Sequence, residues 1–67
     1  YENYVVRGNM AEGKFSVYYQ KEGRLIAIET INDIKSFSVG KKLIKNQINI
    51  PLEALENKDS DLKSFLD

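Results

Sequence analysis

The first thirty residues contain three β-prone runs, and the second of them alternates apolar and polar side chains with the period of two that is typical of β-strands. A β-prone run over residues 4–8 ends at a turn-like stretch over residues 9–13. Residues 14–20 form the second run, which alternates and is rich in aromatic side chains. Its two faces consist of Phe15, Val17 and Tyr19 on one side, and of Ser16, Tyr18 and Gln20 on the other. The pattern predicts two strands, the second of them half-buried.

A third strand is predicted over residues 24–30, after a polar connection over residues 21–23. Gly23 in this connection can adopt the positive φ angle that short hairpins with a bulge require. Because every connection is short, the three strands should pair as an antiparallel meander.

After Thr30 the apolar period lengthens and predicts the main α-helix. We expect Asn32 to be its N-cap, with Asp33 next to it complementing the helix dipole. The predicted apolar stripe consists of Ile34, Phe37, Gly40 and Ile44, with Leu43 at its margin. Since Gly costs about 1 kcal/mol relative to Ala inside a helix, Gly40 on this stripe indicates close approach to the sheet.

The last twenty residues predict shorter elements. Residues 48–50 alternate Ile, Asn and Ile, which favours a further short strand or an extended packing segment. Pro51 suits the first turn of a short helix. That helix and a terminal one would be anchored by Leu52 and Leu55, and by Leu62, Phe65 and Leu66. The predicted fold is a single α+β domain over residues 1–67, with the main helix on one face of the meander and short C-terminal helices.

Composition excludes several classes of function. The 67 residues include neither Cys nor His, which removes thiolate chemistry, zinc knuckles and the commonest general base. Ten acidic and ten basic residues cancel, which argues against a nucleic-acid binder. No apolar run approaches the roughly 20 residues of a membrane span, and no signal peptide is visible, so the expected location is the cytoplasm.

Acidic and aromatic residues offer the remaining candidate chemistry. Glu53 and Glu56 are spaced i,i+3 and residues 59–61 read Asp-Ser-Asp, but no pattern indicates a buried carboxylate or a complete calcium loop. We interpret these residues as solvated surface and predict no catalytic, cofactor-binding or metal-ligating residue. Tyr18 or Tyr19 would be the stacking residue of an alternative, a small RNA-binding domain, but core or interface packing is the simpler interpretation of both rings.

One basic cluster lies on the predicted main helix. It consists of Lys35, Lys41, Lys42 and Lys45, with no acidic residue between the first and the last. A solvated helix face is the simplest interpretation. The sharper hypothesis is a docking surface for an acidic protein, since complementary charge steers encounter and orientation.

Several segments of the sequence follow the order and spacing of a known family. They are Val5-Val6-Arg7-Gly8, Phe15-Ser16-Val17-Tyr18-Tyr19, Gly23-Arg24-Leu25-Ile26-Ala27, Asn32, Phe37, Lys41-Lys42-Leu43-Ile44 and Asp61-Leu62-Lys63. Together they resemble the C-terminal domain of bacterial FAD-dependent ferredoxin reductases of the putidaredoxin-reductase type. Two departures concern the helix caps: Asp33-Ile34 replaces the common Arg-Pro, and Gln47 replaces a helix-ending Gly.

The resemblance implies a parent NAD(P)H:ferredoxin oxidoreductase, in which two other domains bind FAD and NAD(P)H and this domain has no catalytic residue. Since the sequence begins at Tyr1, we expect a fragment that lacks the family's first strand and its aromatic segment beside the flavin. The expected partners are the flavin domain of the same polypeptide and an acidic ferredoxin-type electron acceptor that docks on the lysines. Self-association through an uncovered sheet, as a dimer, is a further expectation. The alternative is a free-standing interaction or dimerisation module without a redox role.

Overall fold

The computed structural model describes residues 1–66, in which a three-stranded sheet carries helices on one of its faces. The strands are β1 (Asn3–Asn9), β2 (Lys14–Lys21) and β3 (Arg24–Ile31). The α-helices are α1 (Ile34–Lys45) and α2 (Leu52–Glu56), and two 3₁₀ helices span Met10–Glu12 and Leu62–Leu66. The strands are antiparallel in the order β1-β2-β3. The predicted α+β fold and its meander are therefore confirmed.

The β2–β3 connection is a two-residue turn. Lys21 lies opposite Arg24, and Glu22 and Gly23 between them have φ angles of 53° and 76°. Two successive positive φ angles match the right-handed twist of a hairpin, and Gly takes such an angle without a steric penalty. The expected bulge lies within β3 instead of in the turn, because the register shifts and leaves Ile26 unpaired.

The buried face of the sheet is the more polar face of β2. Tyr18 is only 3% exposed and lies between Val5 and Ile28 on the neighbouring strands. Ser16 and Gln20 are buried beside it and bond to the segments that cover them. Ser16 Oγ donates to Asp33 Oδ2 at 3.2 Å, and Gln20 Nε2 donates to the carbonyl of residue 50. These hydrogen bonds explain why polar side chains occupy the core side.

The N-cap of α1 is Asp33, so the prediction of Asn32 was wrong. Asp33 Oδ1 accepts from Ser36 N at 3.2 Å. Hydrogen bonding by Ser36, first through its side chain and then through its N–H, lowers the pKa of Asp33, with Ser16 adding to the effect and burial opposing it. Asn32 has a left-handed φ of 52°, which Asn tolerates well, and its side chain donates to Gly13 O at 3.0 Å.

The buried stripe of α1 is also rotated from the predicted one. Ile34 is 84% exposed and Phe37 41% exposed, whereas Leu43 is fully buried. Ile34 and Leu43 are nine residues apart, which places them about 180° apart around the helix, so one sheet cannot cover both. The residues that turn toward the sheet are Ser36, Val39, Gly40 and Leu43, with Ile44 half-buried. The close approach at Gly40 is confirmed, because a Cβ atom there would lie 2.5 Å from Ile28 Cδ1.

The C-terminal end of α1 is closed by two backbone hydrogen bonds. Gln47 N donates to Ile44 O and Ile48 N donates to Leu43 O, both at 3.1 Å. This is the Schellman arrangement, in which the residue after the cap is left-handed. Gln47 occupies that position with a φ of 52°, where the family resemblance led us to note a missing Gly. A side chain at this angle costs about 1–2 kcal/mol.

The segment after α1 packs in an extended form. Residues 48–50 form a single bridge, Arg24 to Asn49, and no strand. Ile50 is fully buried and its N–H donates to Gly23 O at 3.0 Å, so the packing segment is the correct alternative. Pro51 is the N-cap of α2 instead of lying in its first turn. None of the described helices has the length and hydropathy that a membrane crossing requires.

Candidate protein-binding surfaces

The four lysines of the predicted cluster lie on one side of α1. At 100° per residue they fall within an arc of roughly 120°, and we call this arc the basic helix face. It consists of Lys35, Lys41, Lys42 and Lys45, all of them exposed. Within residues 1–66, no carboxylate forms an ion pair with any of them. Lys42 and Lys45 also lie in the last helical turn, where a positive charge is favourable to the helix dipole.

Two apolar side chains interrupt this basic surface. Ile34 lies inside the arc of lysines and Phe37 at its edge. Lys41 Nζ is 5.3 Å from the centroid of the Phe37 ring, which is within cation–π range. Sequence reasoning assigned both residues to the core, so it missed them as surface features.

The second candidate surface is the side of the sheet that faces away from the helices. We call it the outer sheet face, and the strand residues on it are Tyr4, Val6, Phe15, Val17, Tyr19, Ala27, Glu29 and Ile31. Tyr4 is 61% exposed and Ile31 48% exposed. One face of a sheet of three strands of this length has an area of roughly 300 Å². An apolar patch of this size is in the range that marks interaction sites.

A cluster of three tyrosines covers one corner of the outer sheet face. The Tyr1 ring packs edge-on against Tyr19 at 4.9 Å and Tyr4 at 6.3 Å between centroids. The Tyr19 hydroxyl donates to Glu29 Oε1, and this hydrogen bond is the main reason that the pKa of Tyr19 is raised. The cluster adds an aromatic corner with hydroxyl groups to this largely apolar surface.

Arg7 fastens β1 to the C-terminal segment. Its Nη1 atom lies 3.1 Å from both Ala54 O and Leu55 O and 3.2 Å from Asn57 O. The same atom is 3.0 Å from Ser60 Oγ, and Nη2 donates to Ser60 O at 2.6 Å. The carbonyls at the end of a helix carry partial negative charge, so a guanidinium is a natural partner for them.

An open cleft of about 460 Å³ lies beside Arg7, between the first turn of α1 and the last loop. Its charged lining consists of Arg7, Asp33, Lys35, Lys58, Asp61 and Lys63. The lining thus carries charges of both signs. The cleft therefore extends the polar surface near Lys35 and does not form a closed binding pocket.

The acidic residues singled out in the sequence are exposed. This holds for Glu53 and Glu56 on α2, and for Asp59 and Asp61 in the following loop. Asp61 Oδ1 accepts from Lys63 N at 3.1 Å, which makes it a local turn cap. The described residues contain no group of three or more Asp, Glu, Cys or His side chains that could hold a metal ion.

The tyrosines of the RNA-binding alternative lie on opposite faces of the sheet. Tyr18 is buried in the core and has no exposed ring on which a base could stack. Tyr19 lies on the outer sheet face, where Tyr1 packs against its ring. Tyr18 therefore packs in the core and cannot be the stacking residue of that alternative.

These features define a class of protein: a small α+β domain that presents an apolar sheet face and a basic helix face to its surroundings. A model of the family described as "Reductase C-terminal" matches residues 1–66. The chain belongs to this family, as the ordered motifs in the sequence predicted.

Relatives with described names support the same assignment. Putidaredoxin reductase CamA from Pseudomonas putida is 29% identical to this chain over 66 residues. Ferredoxin--NAD(P)(+) reductase fdr from a Sphingomonas species is 33% identical over 66 residues. In both cases the match covers 98% of this chain and 16% of the relative. The ferredoxin reductase subunit of 5,5'-dehydrodivanillate O-demethylase from a Sphingobium species is 31% identical over 61 residues, which are 91% of this chain and 15% of that protein. The chain thus spans about a sixth of these curated relatives.

Proposed function

We propose that this chain is the C-terminal accessory domain of an NAD(P)H-dependent, FAD-containing ferredoxin reductase. In this role it supports the flavin domain and contributes to the surface on which the electron acceptor docks. The family assignment and the names of the relatives support the proposal. Electron transfer from NAD(P)H through FAD would be carried out by the cofactors, with the protein supplying orientation and electrostatics.

The residues of this chain do not fit an FAD site of their own. The N-terminus of α1, which is the element suited to a pyrophosphate, is already capped by the Asp33 carboxylate. A second negative charge there would be repelled. We therefore place the flavin and the nicotinamide nucleotide in other parts of the polypeptide.

The outer sheet face is the surface suited to the flavin domain. It is apolar, relatively flat and free of lysine at its centre, with Val17 flanked by Val6 and Glu29 on the neighbouring strands. Burying such a face contributes about 25 cal/mol per Å² of apolar area. Contact with a neighbouring domain would stabilise both partners.

The basic helix face is the surface suited to an acidic ferredoxin. The observation that carries this part of the proposal is the group of four exposed lysines, none of which pairs with a carboxylate among the described residues. Complementary charges raise the rate of encounter and fix the orientation of the acceptor.

Charge reversal in the intact reductase tests the docking role. Replacing Lys41, Lys42 and Lys45 by Glu should raise the KM for a host [2Fe–2S] ferredoxin about tenfold at low ionic strength, and weaken its dependence on salt. Reduction of ferricyanide, a small acceptor that needs no docking surface, should be unchanged. Both activities are measured by NAD(P)H oxidation.

The matched control reverses the charges of Lys14 and Lys21, at the two ends of β2. The change in KM is divided by the number of reversed charges before the two variants are compared. An equal effect of both variants would indicate a general field and not a docking site. Unchanged ferredoxin kinetics in the α1 variant would contradict the proposal.

The outer sheet face also supports a second candidate function. An apolar face of this size also suits a free-standing interaction or dimerisation module without a redox role. Purification of the native protein distinguishes the two: the reductase proposal requires a much longer, flavin-containing polypeptide that oxidises NAD(P)H, whereas the alternative requires a colourless protein.

A further inference from the structure

We infer that the basic helix face binds its acidic partner through an apolar contact made by Ile34 and Phe37, with the lysines surrounding that contact. The inference rests on the proposed docking function and specifies the partner: a ferredoxin-type protein whose docking surface has apolar side chains ringed by carboxylates.

The exposure of Ile34 is the first observation. A residue that is 84% exposed makes little use of its apolar surface, although burying an Ile side chain contributes about 1.5–3 kcal/mol. Ile34 is also the first residue of α1, where β-branched side chains have no advantage over polar ones. Neither folding of the helix nor packing of the core accounts for an apolar residue here.

The arrangement of Phe37 and Lys41 is the second observation. Phe37 is 41% exposed, so a large part of its side chain is open to a partner. Lys41 places its ammonium group 5.3 Å from the ring centroid. An aromatic side chain bordered by flexible charges is the usual anatomy of a protein interface, with an apolar centre and a polar rim.

Charge complementarity selects the occupant of this surface. Both apolar residues lie among or beside the lysines of the basic helix face, so a partner that reaches them must bring carboxylates. The outer sheet face is also apolar, but the charged residue near its centre is Glu29, and its lysine, Lys21, lies only at the turn end, opposite Arg24. The two apolar surfaces of the domain therefore fit different partners.

The two components of the surface should act on different rate constants. Charges at the rim of an interface mainly set the association rate, whereas buried apolar contacts mainly set the dissociation rate. Removing the apolar pair should therefore accelerate dissociation and leave the salt dependence of association unchanged.

The test uses the intact reductase and a host [2Fe–2S] ferredoxin as the probe, with association and dissociation rates measured at several ionic strengths. Ile34→Gln and Phe37→Gln keep good helix propensity and remove the apolar surface. We expect the double variant to dissociate about tenfold faster, with an unchanged salt slope for association. The matched control is Met10→Gln, another exposed apolar residue, which should change neither rate.

Three outcomes would overturn the inference or its basis, and they are distinguishable. If the double variant dissociates at the original rate while the lysine reversal still weakens binding, docking stands and the apolar contact is wrong. If neither variant changes binding, the docking function itself fails. If the double variant instead lowers the melting temperature or the flavin content of the reductase and leaves dissociation unchanged, the pair is covered by the reductase polypeptide itself.

Discussion

At the scale of single residues, Arg7 makes more side-chain hydrogen bonds than any other of residues 1–66. It lies on the inner side of β1, two positions from Val5, where an apolar side chain would be expected. Its guanidinium bonds to the carbonyls of Ala54, Leu55, Asn57 and Ser60. Because these acceptors lie at the end of α2 and in the following loop, one side chain joins β1 to the whole of this junction.

Arg7→Lys should therefore destabilise the domain by about 2 kcal/mol, since a single ammonium group cannot reach acceptors arranged for a planar fork. The measurement is the free energy of unfolding from chemical denaturation. Arg24→Lys is the control, because Arg24 is exposed and its one ion pair, to Glu22, is long at 3.8 Å. That change should cost less than about 1 kcal/mol. Equal losses in the two variants would show that Arg7 is not a specific clamp.

At the scale of elements, the packing of α1 on the sheet depends on one small residue. Gly40 lies against Ile28 of β3, and an added Cβ would be 2.5 Å from Cδ1 and 3.2 Å from Cγ2 of that side chain. Gly at this position costs about 1 kcal/mol of helix stability relative to Ala, and its lack of a side chain allows the close contact between helix and strand.

Gly40→Ala should destabilise the domain by about 1 kcal/mol, because overpacking outweighs the gain in helix propensity. Ile28→Val removes the Cδ1 atom, so in that background the same alanine should become stabilising. The four free energies of unfolding in this double-mutant cycle give the coupling. Additive effects would contradict a direct clash between these two side chains.

The elements also show how far the sequence predicted the fold. β-prone runs bounded by turn residues located β1 and β3, and periodicity located β2 and the main helix, because alternation and the 3.6-residue repeat depend on the backbone alone. It did not say which face of β2 is buried, since Ser16 and Gln20 are stabilised there by hydrogen bonds from distant segments. The rotation of α1 was missed for a similar reason: the contact at Gly40, and not the number of apolar residues, determines which side of the helix meets the sheet.

The candidate surfaces were predicted only in part. The lysines could be found because like charges recur on one helix without acidic residues between them. The apolar components could not, since Ile34, Phe37 and Val17 have the composition of core residues and only the tertiary structure reveals their exposure. The role of Arg7 was missed because its acceptors are backbone carbonyls about fifty residues away, which have no sequence signature.

At the scale of the whole molecule, the two candidate surfaces lie on opposite sides. The helices cover the inner side of the sheet, so the basic helix face points away from the outer sheet face. The domain measures 30 × 22 × 20 Å, which separates the surfaces by roughly the thickness of two packed layers. One partner can therefore occupy each side at the same time.

The chain alone should associate through the outer sheet face, since α1 and α2 pack on the other side of the sheet and leave these side chains at least partly exposed. Val17→Lys places a charge near the centre of this face and should shift the chain to a monomer in sedimentation equilibrium. Ile34→Lys adds the same charge on the opposite side and serves as the control, with association unchanged. A monomeric parent chain, or equal effects of the two variants, would contradict association through the sheet.

The hydrogen bonds of Arg7 connect segments that are far apart in the sequence, and this separation affects the order in which parts of the domain fold. The meander and its helix close through neighbours along the chain, whereas Arg7 and Ser60 are 53 residues apart. Closing a loop of that length costs more chain entropy than forming a hairpin, so it is repaid only after the sheet exists. We therefore expect folding to end where β1 captures the last loop, and we expect that junction to open early when the native domain fluctuates.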